Sequence, residues 1–104
     1  MNSKEKGKRG EREFARMLKD HGFTNCRRGQ QYSGIEGRDV VGIDGLHIEV
    51  KLREQLNVFD AIAQAEQDAM SGEVPVVAWR KNRKPWVVVI KAPDFIDLLK
   101  RAGF

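Results

Sequence analysis

Asp39, Glu49 and Lys51 sit in a stretch that otherwise alternates like a β-hairpin, Arg38-Asp39-Val40-Val41-Gly42-Ile43-Asp44-Gly45-Leu46-His47-Ile48-Glu49-Val50-Lys51. Two carboxylates and a lysine on one small sheet must be paired, hydrated or bound to a cation. Phosphodiester hydrolysis needs an activated water, stabilisation of the developing pentacovalent charge and help for the leaving oxygen, and bound Mg²⁺ supplies the first two. Mg²⁺ takes octahedral oxygen ligands at about 2.0–2.1 Å from one or two carboxylates, waters and substrate phosphate. Asp39 and Glu49 suit it, and the backbone carbonyl of Val50 is a candidate third ligand. Lys51 projects on the same side as Glu49, where it can orient or deprotonate the attacking water or stabilise charge on the phosphate. Acting as a base requires a lowered pKa. Glu11, on a first helix, is a candidate ligand for a second metal or a carboxylate acting through water. The plain alternative is a solvated strand face carrying a salt bridge.

The turn decides whether the two carboxylates meet. Asp44-Gly45 is a strong hairpin signal. A two-residue turn sets Asp39 opposite Val50, so that Asp39 and Glu49 face opposite sides. A three-residue loop, Ile43-Asp44-Gly45, with Gly45 left-handed and a bulge, sets Asp39 opposite Glu49 on one face, with Cβ atoms about 4.5–5.5 Å apart. The three-residue loop is the prediction. In the second strand Leu46, Ile48 and Val50 alternate with His47, Glu49 and Lys51, a half-buried pattern with the charges on the open side. His47 reads as a hydrogen-bonded surface histidine, since no second His or Cys stands at ligand spacing.

The elements around this hairpin follow from periodicity. Residues 1–6 read as flexible, and Gly10 to His21 is helical, with Phe14, Ala15, Met17 and Leu18 on its apolar side and Gly22 ending it. Thr24 to Arg28 is a short strand, and Gly29 to Gly37 is a glycine-rich loop leading to Asp39. A second helix spans 58–70 behind the N-cap Asn57, with Gln64 and Gln67 off its apolar side. Val74–Trp79 and Trp86–Lys91 read as buried strands joined by a basic turn. Pro93 opens a last helix that extends the domain over 92–104. The order is αβββαββα, one α/β domain over 1–104 with a mixed central sheet flanked by helices.

The formal net charge is +4, and the single cysteine, Cys26, forbids an intramolecular disulfide. The first suits a polyanionic partner; the second points to a reducing compartment. No signal peptide or spanning run is visible, so the expected location is cytoplasmic, the host cytoplasm if the chain is phage-encoded. Seven of the first nineteen residues are basic, Lys4, Lys6, Lys8, Arg9, Arg12, Arg16 and Lys19, while Arg27 and Arg28 end the first strand and Arg83 and Lys84 lie in the basic turn. These groups equally fit a non-catalytic nucleic-acid-binding module, whose affinity would come from phosphates. Two carboxylates on a DNA-facing sheet argue against it, because they repel phosphate unless a cation neutralises them. A structural or partner-binding protein accounts for neither the acidic set nor the basic patches.

Gly10-Glu11-Arg12-Glu13-Phe14, the helix end His21-Gly22-Phe23, Arg27, Asp39-Val40-Val41 and Ile48-Glu49-Val50-Lys51 together resemble the PD-(D/E)xK nuclease superfamily. Within it they look like the archaeal Holliday junction resolvases, with phage and virus-type replication-repair nucleases on the same plan. The likeness covers about residues 7–91. It implies a restriction-endonuclease-like core and Mg²⁺-dependent cleavage of branched DNA by a homodimer, with Mn²⁺ as a substitute ion. It implies catalytic roles for Glu11, Asp39, Glu49 and Lys51. It also implies DNA contacts from Arg12 and Arg27, and a match of Gln64 to a glutamine of the phage members. Less selective nicking or flap cleavage is the alternative activity within the superfamily. The loop Gly29–Gly37 is longer than in the archaeal enzymes, and residues 92–104 are an addition.

Overall fold

The computed structural model describes residues 2–29 and 38–104, so the expected loop over 30–37 lies outside the described residues. The elements are α1 (Ser3–Asp20), β1 (Arg27–Arg28), β2 (Val40–Val41), β3 (Leu46–Leu52), α2 (Val58–Asp68), β4 (Val74–Arg80), β5 (Val87–Val89) and α3 (Ala92–Arg101), in the expected order. The sheet runs β1-β2-β3-β4-β5 in space. Only β3 and β4 pair in parallel, and α2 is the crossover between them. This is an α/β fold with a mixed sheet flanked by helices, the arrangement expected from the sequence. Among the described residues, no helix is long and apolar enough to cross a membrane.

Helix α1 begins at Ser3, well before the expected start at Gly10. Its apolar stripe is shorter than the helix, and Gly7 and Gly10 lower the propensity of its first half. The Asn2 side chain compensates by accepting the Glu5 N–H at 2.9 Å. Gly10 has a packing role, since a Cβ there would lie 3.0 Å from the Leu52 Cβ where α1 crosses β3. At the other end Gly22 is left-handed and the Phe23 N–H reaches the Leu18 carbonyl at 3.0 Å, the glycine-ended cap expected from the sequence.

Phe14 and Ala15 of α1 pack on Cys26, Val40, Ile48, Val50, Val76 and Ala78. Trp86, just ahead of β5, is half-buried against Phe14, with ring centroids 5.2 Å apart and its indole N–H donating to Glu13 at 2.9 Å. On the opposite face, Ala61, Ile62 and Ala65 of α2 pack on Val77. Both faces of β3 are therefore covered. His47 is 1 % exposed and Glu49 6 %, so the face expected to be open and charged is closed, and His47 is no surface histidine. Helix α3 has no buried residue, and Phe95 and Ile96 are 49 % and 51 % exposed.

In the hairpin Val40 pairs with Ile48. One step on, that register puts Asp39 across from Glu49, the predicted arrangement. Gly45 is left-handed at φ 88°, and the Leu46 N–H closes on the Ile43 carbonyl at 3.4 Å. The residue that shifts the register is Gly42, left-handed at φ 116°. It lies so close to the backbone just before β1 that a Cβ would meet the Asn25 carbonyl oxygen at 2.4 Å. Gly42→Ala should therefore destabilise the fold by on the order of 1–3 kcal/mol from backbone strain alone, with the Asn25 collision adding to it. At Gly45 a Cβ meets only the flexible end of Arg101 at 3.3 Å. Urea unfolding should rank Gly42→Ala below Gly45→Ala in stability; equal midpoints would contradict this account of the turn.

Candidate active site

Asp39 is held from both sides. Its N–H donates to the Ile48 carbonyl at 2.9 Å, and its carbonyl accepts the Gly29 N–H at 2.8 Å. Gly29 can come this close because it lacks a Cβ, which would lie 2.2 Å from the Arg38 carbonyl oxygen. The Asp39 carboxylate then accepts the N–H of Val50 at 2.7 Å, beyond the end of the short β2 ladder. This bond favours the ionised carboxylate, but other forces outweigh it. Burial first, then the Glu49 charge, the Glu11 charge and a side-chain hydrogen bond to Glu49 push the Asp39 pKa up to about 7.

Glu11 approaches from α1. Its carboxylate is 3.4 Å from Nε of Arg28 on β1. Burial and Glu49 raise its pKa, opposed by Arg28, Arg12 and Lys8. Glu11, Asp39 and Glu49 thus converge, with Lys8, Arg12 and Arg28 around Glu11. The donor set is all oxygen and its negative charge is only partly offset, which fits a divalent cation. Lys51 is half-buried on the same strand. It lines an open cavity of about 620 Å³ together with Val50, Ser3, Lys6 and Arg53.

On the α2 side Glu49 has other neighbours. Oε1 of Glu49 is 2.8 Å from Nε2 of His47. Ligand atoms of His47, Glu49 and Asp68, at the end of α2, lie within 4.8 Å of one another. Nδ1 of His47 is 3.9 Å from Glu73, which accepts the Met70 N–H at 2.8 Å and pairs with Arg38 at 3.0 Å. Glu11 and Asp39 are not members of the group formed with Asp68. The sequence singled out neither Asp68 nor Glu73, and placed His47 at the surface. The only signal available was the strand spacing of His47 and Glu49.

The family model of the archaeal Holliday junction resolvases (Hjc) matches residues 2–102. The chain belongs to this family. It is a metal-dependent endonuclease and DNA is its partner, as for the resolvases of the family. One solved structure, Hjc from Archaeoglobus fulgidus, described as a Holliday junction resolvase from an archaeal hyperthermophile, is 26 % identical. The match covers 75 % of this chain and 73 % of that one, with a TM-score of 0.44. A comparison with curated proteins gives no significant match.

The basic residues singled out from the sequence do not form one cluster in this resolvase-family chain. Lys8 and Arg12 stand beside Glu11, and Arg27 is exposed on β1 next to the paired Arg28. Arg9 is exposed on α1, and Gln64 is exposed on α2. At the end of β4 Arg80 is bound to Glu13, and in the turn that follows Lys81 lies 5.6 Å from the Trp79 ring centroid. Arg83 and Lys84 remain exposed there, Arg83 with a left-handed backbone at φ 62°.

The raised Asp39 pKa carries a pH signature. A carboxyl whose pKa rises on folding stabilises the fold fully below its unfolded value, near 3.8, and loses that contribution as pH rises through about 7. In EDTA, raising pH from 5 to 8 should lower the melting temperature of wild type more than that of Asp39→Asn. Adding Mg²⁺ at pH 8 should return part of the loss in wild type only. Parallel pH profiles for the two proteins would contradict the assignment.

Proposed function

We propose that the chain is a Mg²⁺-dependent, structure-selective endodeoxyribonuclease that resolves Holliday junctions as a homodimer. The observation that carries this reading is the hairpin register, which sets Asp39 across from Glu49 while burial and mutual repulsion push Asp39 up to about 7. A perturbed carboxyl with a defined charged partner is a mark of a functional site. Asp39, Glu49 and the Val50 carbonyl would hold the ion, with Glu11 reaching a second ion or acting through water. When bound, a divalent ion lowers the pKa of a coordinated water and offsets charge on the phosphate; Mn²⁺ would serve as well.

The chain supplies the rest. Lys51 orients the attacking water or stabilises phosphate charge from the edge of the cavity it shares with Lys6 and Arg53. Lys8, Arg12 and Arg28 stand around Glu11, where phosphate would otherwise be repelled, and Arg9 and Arg27 would add contacts from α1 and β1. Gln64, Arg83 and Lys84 extend the DNA contacts. Two identical sites related by a two-fold axis suit paired cuts in a four-way junction. Among the described residues, the exposed apolar side of α3, with Phe95 and Ile96, is a surface that a second copy would cover.

Asp39→Asn and Glu49→Gln should each abolish Mg²⁺-dependent cleavage, while binding of a four-way junction in EDTA persists or tightens as repulsion falls. Cleavage by either variant at the wild-type rate would show that the site is elsewhere. With wild type in Mg²⁺, four-way junctions should be cut in preference to flaps, single strands and linear duplex. Equal rates on all four substrates would remove junction selectivity. Arg83→Ala with Lys84→Ala should reduce the log–log salt slope of binding by about 0.9 per lost phosphate contact; an unchanged slope would assign the turn to solvent.

A further inference from the structure

Helix α2 covers the site from a side that the carboxylate pairing does not explain, and the residue β3 presents there is a histidine. Burying an imidazole in a central strand is unfavourable unless its nitrogens are engaged, and an aliphatic residue would fill the position without that burden. His47 is 1 % exposed, with Nε2 2.8 Å from Oε1 of Glu49. A carboxylate oxygen only accepts, so Nε2–H donates to it.

The ring is enclosed by groups that are themselves held. Nδ1 faces Glu73 at 3.9 Å, and Glu73 is fixed by the Met70 N–H at 2.8 Å and by Arg38 at 3.0 Å. Arg38 is the residue before Asp39. The sequence of contacts from Glu49 through His47, Glu73 and Arg38 therefore returns to the backbone that carries Asp39.

We infer that His47 is a positioning residue for the nuclease reaction. Its hydrogen bond occupies Oε1 of Glu49 and thereby turns the other carboxylate oxygen toward Asp39. This rests on the proposed roles of Asp39 and Glu49. Partners that orient a metal-holding carboxylate change metal affinity or activity by about 10–100-fold when removed, and His47 should show a loss of that size.

Gln and Asn separate the two ring nitrogens: the Gln amide nitrogen stands at the position of Nε2, and the Asn amide nitrogen at that of Nδ1. His47→Gln should keep cleavage and Mn²⁺ affinity, read by calorimetry, within about threefold of wild type, well inside the loss expected for an unsupported carboxylate. His47→Asn and His47→Leu should weaken Mn²⁺ binding and shift the Mg²⁺ midpoint for cleavage upward by about 10–100-fold, with junction affinity in EDTA unchanged. If the Leu variant does not fold, the Gln–Asn comparison still decides. Equal Mn²⁺ affinity and Mg²⁺ midpoint for Gln and Asn would overturn the inference. So would losses that track only the folded fraction. Asp39→Asn is the control for the underlying reading. If it cleaves, the carboxylate pair is misassigned. If it is inactive while His47→Asn behaves as wild type, only the role of His47 fails.

Discussion

The structure depends on two carboxylates held together in a place where water cannot fully screen them. Asp39 lies at the end of a strand two residues long, across from Glu49 in the centre of the sheet. Water would separate such a pair; the fold prevents it by tying the Asp39 backbone to Ile48 and Gly29 and its side chain to the Val50 N–H. The raised Asp39 pKa is the electrostatic consequence, and a divalent cation held between the two carboxylates would relieve it.

Strand β3 connects this pair to both layers of the protein. Through Ile48 and Val50 it joins the core under α1, which brings Glu11 and its partner Arg28 to the acidic cluster. Through His47 and Glu49 it faces α2 and the segment after it, which bring Asp68 and Glu73 around the imidazole. Glu49 belongs to both environments. A site assembled from one hairpin alone would expose its carboxylates; covering β3 on both sides makes their interactions strong, because the effective dielectric falls with burial.

Much of this was legible in the sequence because it is local. The element order follows from periods of 3.6 and 2, from Asn57 and Pro93 at helix starts, and from Asp44-Gly45 at the turn. The meeting of Asp39 and Glu49 was a matter of register, and the expected register is there, but it is left-handed Gly42, ahead of a tight Asp44-Gly45 turn, that produces it and not a three-residue loop. What could not be read depends on contacts distant in sequence. Residues 1–6 look like a flexible tail until the Asn2 side chain caps α1 and Gly10 lets that helix lie close on Leu52. That Trp86 packs on Phe14, 72 positions earlier, has no local signal either. His47 looks solvated because alternation in one strand cannot reveal that α2 closes the second face. Asp68 and Glu73 carry no local mark at all.

The central claim is that the cation sits between Asp39 and Glu49. Anomalous diffraction from crystals of the wild-type protein soaked in Mn²⁺ tests it most directly. The account predicts a peak coordinated by the carboxylates of Asp39 and Glu49 and by the Val50 carbonyl, with His47 still bonded to Glu49 and not to the metal. A peak ligated by His47, Glu49 and Asp68, with none at Asp39, would contradict it.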